Sequence, residues 1–105
     1  VLALYIGGMG ARGTNFHLDV FARMGWEAVC DRVQDAYLSG RRDDAVAAIP
    51  TELVSDVALI GPPARVRDQL AEWDETVVST LLVQASTFGG SSLDALHRVA
   101  DVLLD

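Results

Sequence analysis

The residue pattern with the clearest chemical content is Gly8-x-Gly10-x-x-Gly13. Glycines at this spacing let a backbone approach a pyrophosphate, and a helix starting behind them supplies a positive dipole. The apolar run Val1–Ile6 precedes the glycines, and Asp31 follows Gly8 by 23 residues, close to where an acid would hold a ribose. Together Gly8, Gly10, Gly13 and Asp31 are the residues that a Rossmann-type NAD-binding domain would use. The same stretch also reads as a glycine-rich bend between helices, where two backbones pack closely. The readings part at Trp26–Cys30. A dinucleotide domain needs its second strand there, ending at Asp31, whereas the apolar positions Trp26, Val29, Cys30, Val33 and Tyr37 follow a helical period.

Other reactive side chains form no such pattern. His17 sits near an expected helix start and His97 on the polar side of the last helix, 80 residues apart, with no acid at a telling spacing from either. Cys30 is the single cysteine, so an internal disulfide and a cysteine-rich zinc site are excluded. A small apolar role on a buried face suits it. Asp43-Asp44 after Arg41-Arg42 reads as a solvated helix start, and Glu72 and Glu75 as the wet face of a helix. No nucleophile–base pair emerges, so no catalytic residue and no metal ligand is assigned.

Composition narrows the partners. Fifteen acids against eight bases give a formal charge of −7. A nucleic-acid surface needs a basic patch, and an anionic membrane would repel this chain equally. All bases are Arg. Half of the 105 residues are hydrophobic, enough for one small domain with a core. The sequence shows no charged n-region with a cleavage site, and its apolar runs are too short to span a bilayer, so a cytoplasmic location is expected.

These residues must be positioned by local structure. Val1–Ile6 is a strand or the end of a helix. Thr14 or Asn15 can cap a helix carrying Phe16, Val20, Phe21 and Met24 on one face, and Gly25 interrupts it. The next helix stops at Ser39-Gly40. Arg41–Ile49 is a short helical stretch ended by Pro50, and Thr51 can cap one more turn through Val54. Val57–Ile60 and Thr80–Ala85 are continuous apolar runs, as expected of strands buried on both faces. Gly61-Pro62-Pro63 turns the chain into a helix marked by Val66, Leu70 and Trp73, and Ser91 or Ser92 caps a last helix with Leu93, Leu96, Val99 and Leu103. The fold expectation is therefore α/β: a helical segment over residues 1–56, then β-α-β-α over 57–105 with parallel strands and a right-handed crossover.

Three stretches carry a family resemblance: Leu2-Ala3-Leu4-Tyr5-Ile6-Gly7-Gly8-Met9-Gly10-Ala11-Arg12 with Asn15-Phe16; Gln34-Asp35-Ala36-Tyr37-Leu38-Ser39-Gly40-Arg41 with Ala48-Ile49-Pro50 and Glu52-Leu53-Val54; and Asp56-Val57-Ala58-Leu59-Ile60-Gly61-Pro62-Pro63 with Arg65-Val66-Arg67. In order and spacing the chain resembles the C-terminal third of luciferase-like monooxygenases, especially their F420-dependent class in actinobacteria. The resemblance implies the last part of a (β/α)8 TIM barrel, with Val57–Ile60 and Thr80–Ala85 as its seventh and eighth strands and the glycine-rich stretch lying between helices.

The resemblance also implies hydride transfer to or from coenzyme F420, or alternatively FMN, on a small-molecule substrate. Strands one to six, which supply most cofactor contacts, are not in this sequence, so the chain by itself is expected to be inactive. A barrel site lies at the C-terminal ends of its strands, which here points to Gly61 for close backbone approach and to Ser86 and Thr87 as donors to a phosphate or substrate. All three equally suit plain turn chemistry. Unpaired strand edges would favour homo-oligomerisation. A non-enzymatic α/β interaction module is a further alternative.

Overall fold

A computed structural model describes residues 1–83 and 90–104. The chain divides into two compact units, Val1–Val57 and Ala58–Asp105.

The first unit is helical throughout its regular structure. Val1–Ile6 resolves as helix: α1 spans Leu2–Gly8, with the Val1 carbonyl accepting from the amides of Leu4 and Tyr5 at 3.0 and 3.2 Å. Its buried positions are Ala3, Ile6 and Gly7, the three- and four-residue steps of a helix face. Asn15 caps α2 (Phe16–Phe21), which runs into a π-helical segment, Ala22–Trp26. The interruption expected at Gly25 is a backbone at φ +100°, open to glycine and strained for other residues.

The longest helix of this unit, α3 (Glu27–Leu38), forms the centre of the core. Val29, Cys30 and Val33 face inward with Ala36, joined by Ala3, Ile6, Ala45 and Leu53 from the surrounding helices. Ser39-Gly40 stops it by a Schellman motif. Gly40 takes φ +80° and donates to the Tyr37 carbonyl, and Arg41 donates to that of Ala36, at 3.0 and 2.9 Å. Two short helices follow, α4 (Arg42–Ala47) and α5 (Thr51–Val57), on either side of Pro50. The Trp26 indole N–H donates to Asp56 at 2.9 Å, fastening the start of α3 to the end of α5.

In the second unit, α6 (Pro63–Asp74) and α7 (Ser92–Leu103) pack together, and the Arg67 guanidinium donates to the Asp101 carbonyl at 3.0 Å. Proline opens α6 where its missing N–H costs nothing. Ser91 opens α7 with a capping box: its side chain accepts from the Asp94 amide, and the Asp94 carboxylate accepts from the Ser91 amide.

Three expectations are corrected. The strand at residues 57–60 does not form: Val57 is the last residue of α5, and 58–60 join no ladder. Residues 80–83 are likewise irregular, and Gln84 and Ala85 lie outside the described residues. The only bridge among the described residues is an isolated one between Ala11 and Thr14. A parallel strand is held by its neighbours' hydrogen bonds; here the Ile60 amide donates instead to the Gln69 side chain at 3.1 Å. The β-α-β-α half is thus represented by its two helices, and the strand edges that argued for self-association are not present among the described residues.

Second, the Rossmann reading fails. The segment before the glycines is α1, Trp26–Cys30 enters α3, and Asp31 lies exposed inside that helix. Third, the face of α2 marked by Phe16, Val20, Phe21 and Met24 is divided: Phe21 packs on the core together with Leu18, while Phe16, Val20 and Met24 are exposed.

Candidate functional site

The glycine-rich stretch is a helix-packing device. A Cβ on Gly7 would fall 2.5 Å from that of Tyr37, and one on Gly8 would meet the same ring, so these two glycines let α1 lie directly on α3. The Arg42 guanidinium lies over the same ring, 5.3 Å from its centroid. Gly10 lies against the Thr14 carbonyl and Asn15, and Gly13 turns the chain at φ +74°. Arg12, from this turn, pairs with Asp35 on α3.

Asn15 organises the bend. It is buried, and its amide nitrogen donates to the carbonyls of Tyr5 and Ile6 at 3.2 and 2.9 Å while its oxygen accepts from the Leu18 amide at 3.1 Å. One side chain therefore closes α1 and opens α2. The sequence marks Asn15 only as a cap; its bonds to α1 depend on a close approach that spacing does not disclose. The His17 ring meets that of Tyr5 edge-on at 5.0 Å and that of Phe16 at a tilt at 4.3 Å. Cys30 is enclosed. Burial, then the neighbouring Asp31 charge, push its thiol above the ordinary cysteine value.

The second unit holds the residue that barrel geometry singles out. Gly61 has φ +134°, a glycine conformation, and the Arg65 side chain lies over it: a Cβ there would come 2.9 Å from Arg65 Cδ. Ser86 and Thr87 lie outside the described residues, so the three candidate residues are not brought together here. Beside this turn the unit contains an apolar cleft of about 600 Å³, with Leu59 and Val66 on one side, Val99 and Val102 on another, and Arg98 as its charged lining residue. The sequence marks Arg65 only as part of a family stretch, and it does not mark Arg98. Arg65 follows Gly61 by four residues, and Arg98 lies next to Val99 on an amphipathic helix. Among the described residues no three His, Cys, Asp or Glu side chains are grouped to hold a metal ion, and no helix is long and apolar enough to cross a membrane.

Residues 1–80, which comprise the first unit, the Gly61 turn and α6, match the luciferase-like monooxygenase family, and the chain belongs to that family. It is 48% identical over 86 residues to a protein of Mycobacterium tuberculosis whose provisional name is coenzyme F420-dependent oxidoreductase; the match covers 82% of this chain and 25% of that relative. The chain thus spans about a quarter of the length of the curated relative it matches. No solved structure matches it at comparable significance.

The Gly61 turn can be tested for fit to such a cofactor. Its glycine is already required by the backbone angle and by the Arg65 stem. The guanidinium on that stem is a group that suits an anionic portion of a ligand. The glycine is thus accounted for by the turn itself, with the Arg65 stem over it.

Proposed function

We propose that this chain is the C-terminal part of an F420-dependent oxidoreductase whose complete (β/α)8 barrel transfers hydride between the deazaflavin and a small-molecule substrate. The observation that carries this reading is the 48% identity to a relative named for coenzyme F420, within a family match over residues 1–80. When bound, the cofactor supplies the hydride chemistry, and the protein's part is to bind and orient it.

In this reading residues 57–60 become strand only where the neighbouring strands of a complete barrel supply the ladder; Gly61 then ends the seventh strand, and Ser86 and Thr87 follow the eighth. Strand C-termini face the site in such barrels. Gly61 lets the chain turn sharply beside the ligand, Arg65 balances negative charge, and the two hydroxyls donate to a phosphate or substrate oxygen. The first unit serves as a rigid helical buttress. FMN is the alternative cofactor.

The test is cofactor binding by a polypeptide that adds the preceding barrel strands to this chain, read by fluorescence titration with F420 and with FMN. Binding of F420 in preference to FMN, weakened about tenfold or more by Arg65→Ala (roughly the worth of one charge-assisted hydrogen bond), is the expected result. A complete barrel that binds neither compound would overturn the reading.

A further inference from the structure

Resting on the complete barrel of the preceding subsection, we propose that the hydrogen bond from Trp26 to Asp56 sets the register of the strand formed there by residues 57–60, and so positions Gly61 at the cofactor. Val57, Ala58, Leu59 and Ile60 are all apolar. A strand with one wet face is held in register by alternation, because a slip of one residue turns its apolar side chains to water. A strand buried on both faces lacks that alternation, so a slip here exchanges one pair of apolar residues for another. Each such slip would carry Gly61 about 3.3 Å along the strand. Ligand placement in an active site tolerates less than that. The start of the strand must therefore be fixed by something that precedes it.

Asp56 stands immediately before the apolar run and is held from outside its own helix. The Trp26 indole N–H donates to its carboxylate at 2.9 Å, across 30 residues of sequence. Both ends of this bond are seated. Trp26 packs against the core cluster, and it follows Gly25, whose φ of +100° breaks the helical path just before α3. Leu53, three residues before Asp56 on the neighbouring turn of α5, is fully buried. Helix α5 is thus pinned by Leu53 within and by Asp56 near its exit, and residues 58–60 leave from a fixed point. The carboxylate is exposed, so the bond adds only modestly to stability. Its effect lies in its place, one residue ahead of the run. Trp26 and Asp56 are accordingly positioning residues that act through the chain up to Gly61.

Amide hydrogen exchange and F420 titration of the barrel-completing polypeptide test it, with three variants. Trp26→Phe keeps a packing ring and removes the donor, Asp56→Ala removes the acceptor, and Asp56→Asn keeps an oxygen that accepts. The first two should each speed exchange at residues 58–60 and weaken F420 binding, about fivefold in each case, roughly the worth of one hydrogen bond. Together they should do no more than either alone, because both remove the same bond. Asp56→Asn should stay close to wild type in both readouts. Exchange at Val29 to Val33, in the core, should not change, which separates lost register from general unfolding. Exchange at residues 58–60 indifferent to Trp26→Phe, effects of the two changes that multiply, or an Asn variant as impaired as the Ala variant would overturn the proposal. A wild type that binds neither F420 nor FMN would overturn the functional reading, and the role of Gly61 with it; exchange at residues 58–60 then still decides whether Trp26 sets the register.

Discussion

Asn15 shows how much one side chain can decide. Its nitrogen serves the carbonyls of Tyr5 and Ile6, and its oxygen serves the Leu18 amide. Asn15→Asp keeps an acceptor for the cap but removes the donor to α1 and turns a carboxylate toward two carbonyls. Both Asn15→Ala and Asn15→Asp should therefore destabilise, by about 1–3 kcal/mol, with Asp at neutral pH no milder than Ala. Urea denaturation measures this, and an Asp variant as stable as wild type would show that capping alone matters. Cys30 offers a second check. Its buried thiol, with a raised pKa, should stay inert to a disulfide reagent in the native chain and react on unfolding. Rapid native labelling would contradict the core described here. The helical spacing of Cys30 made its burial legible in the sequence; the bonds of Asn15 to α1 were not, because they join residues nine and ten apart across a bend.

At the scale of elements, the glycines separate into two kinds. Gly7 is needed for space, because a Cβ there collides with Tyr37. Gly13 has nothing within 4 Å of such a Cβ and is needed only for its φ of +74°. Gly13→Ala should cost about 1 kcal/mol from backbone strain alone. Gly7→Ala must part α1 from α3, so its cost should be larger, about 1–3 kcal/mol from overpacking. Thermal denaturation of the two variants orders them, and the reverse order would refute the close helix contact. The capping box of α7 carries a pH dependence. Hydrogen bonds from the Ser91 side chain and then its backbone amide hold the Asp94 carboxyl below its ordinary value. A carboxylate with a depressed folded pKa contributes stability that is present above the unfolded value and lost as pH falls through the folded one. Helix α7 should accordingly begin to fray below about pH 4, the ordinary aspartate range. Amide chemical shifts of Leu93 to Ala95 would report the transition, and Ser91→Ala should remove it.

At the scale of the molecule, two units of different character share one chain. The first has a closed core around α3; in the second, the apolar residues near the cleft include Leu82 at 97% exposure. Exposed apolar segments with no ladder partner suit a chain whose match covers only 25% of its curated relative. The expectation is that this chain alone neither oxidises reduced F420 nor reduces the oxidised form. The absorbance of the deazaflavin, followed with the chain in excess, checks it. Turnover by the isolated chain would show that the described residues hold a complete site.

The sequence by itself determined much of this protein. Local rules act over a few residues: the helical period from Trp26 to Tyr37, the stop at Ser39-Gly40, the caps at Asn15 and Ser91, and prolines opening α6 all appear where the residue types require them. Three motif stretches also sufficed to indicate the family to which the chain belongs. Tertiary structure decided what depends on distant partners. It settled Val1–Ile6 as helix, because Ala3 and Ile6 have α3 to pack against. It turned Gly8 from part of a nucleotide loop into part, with Gly7, of a bed for Tyr37. It left residues 58–60 without a ladder, because a continuous apolar run signals a strand's burial but cannot supply the neighbouring strands whose hydrogen bonds hold it.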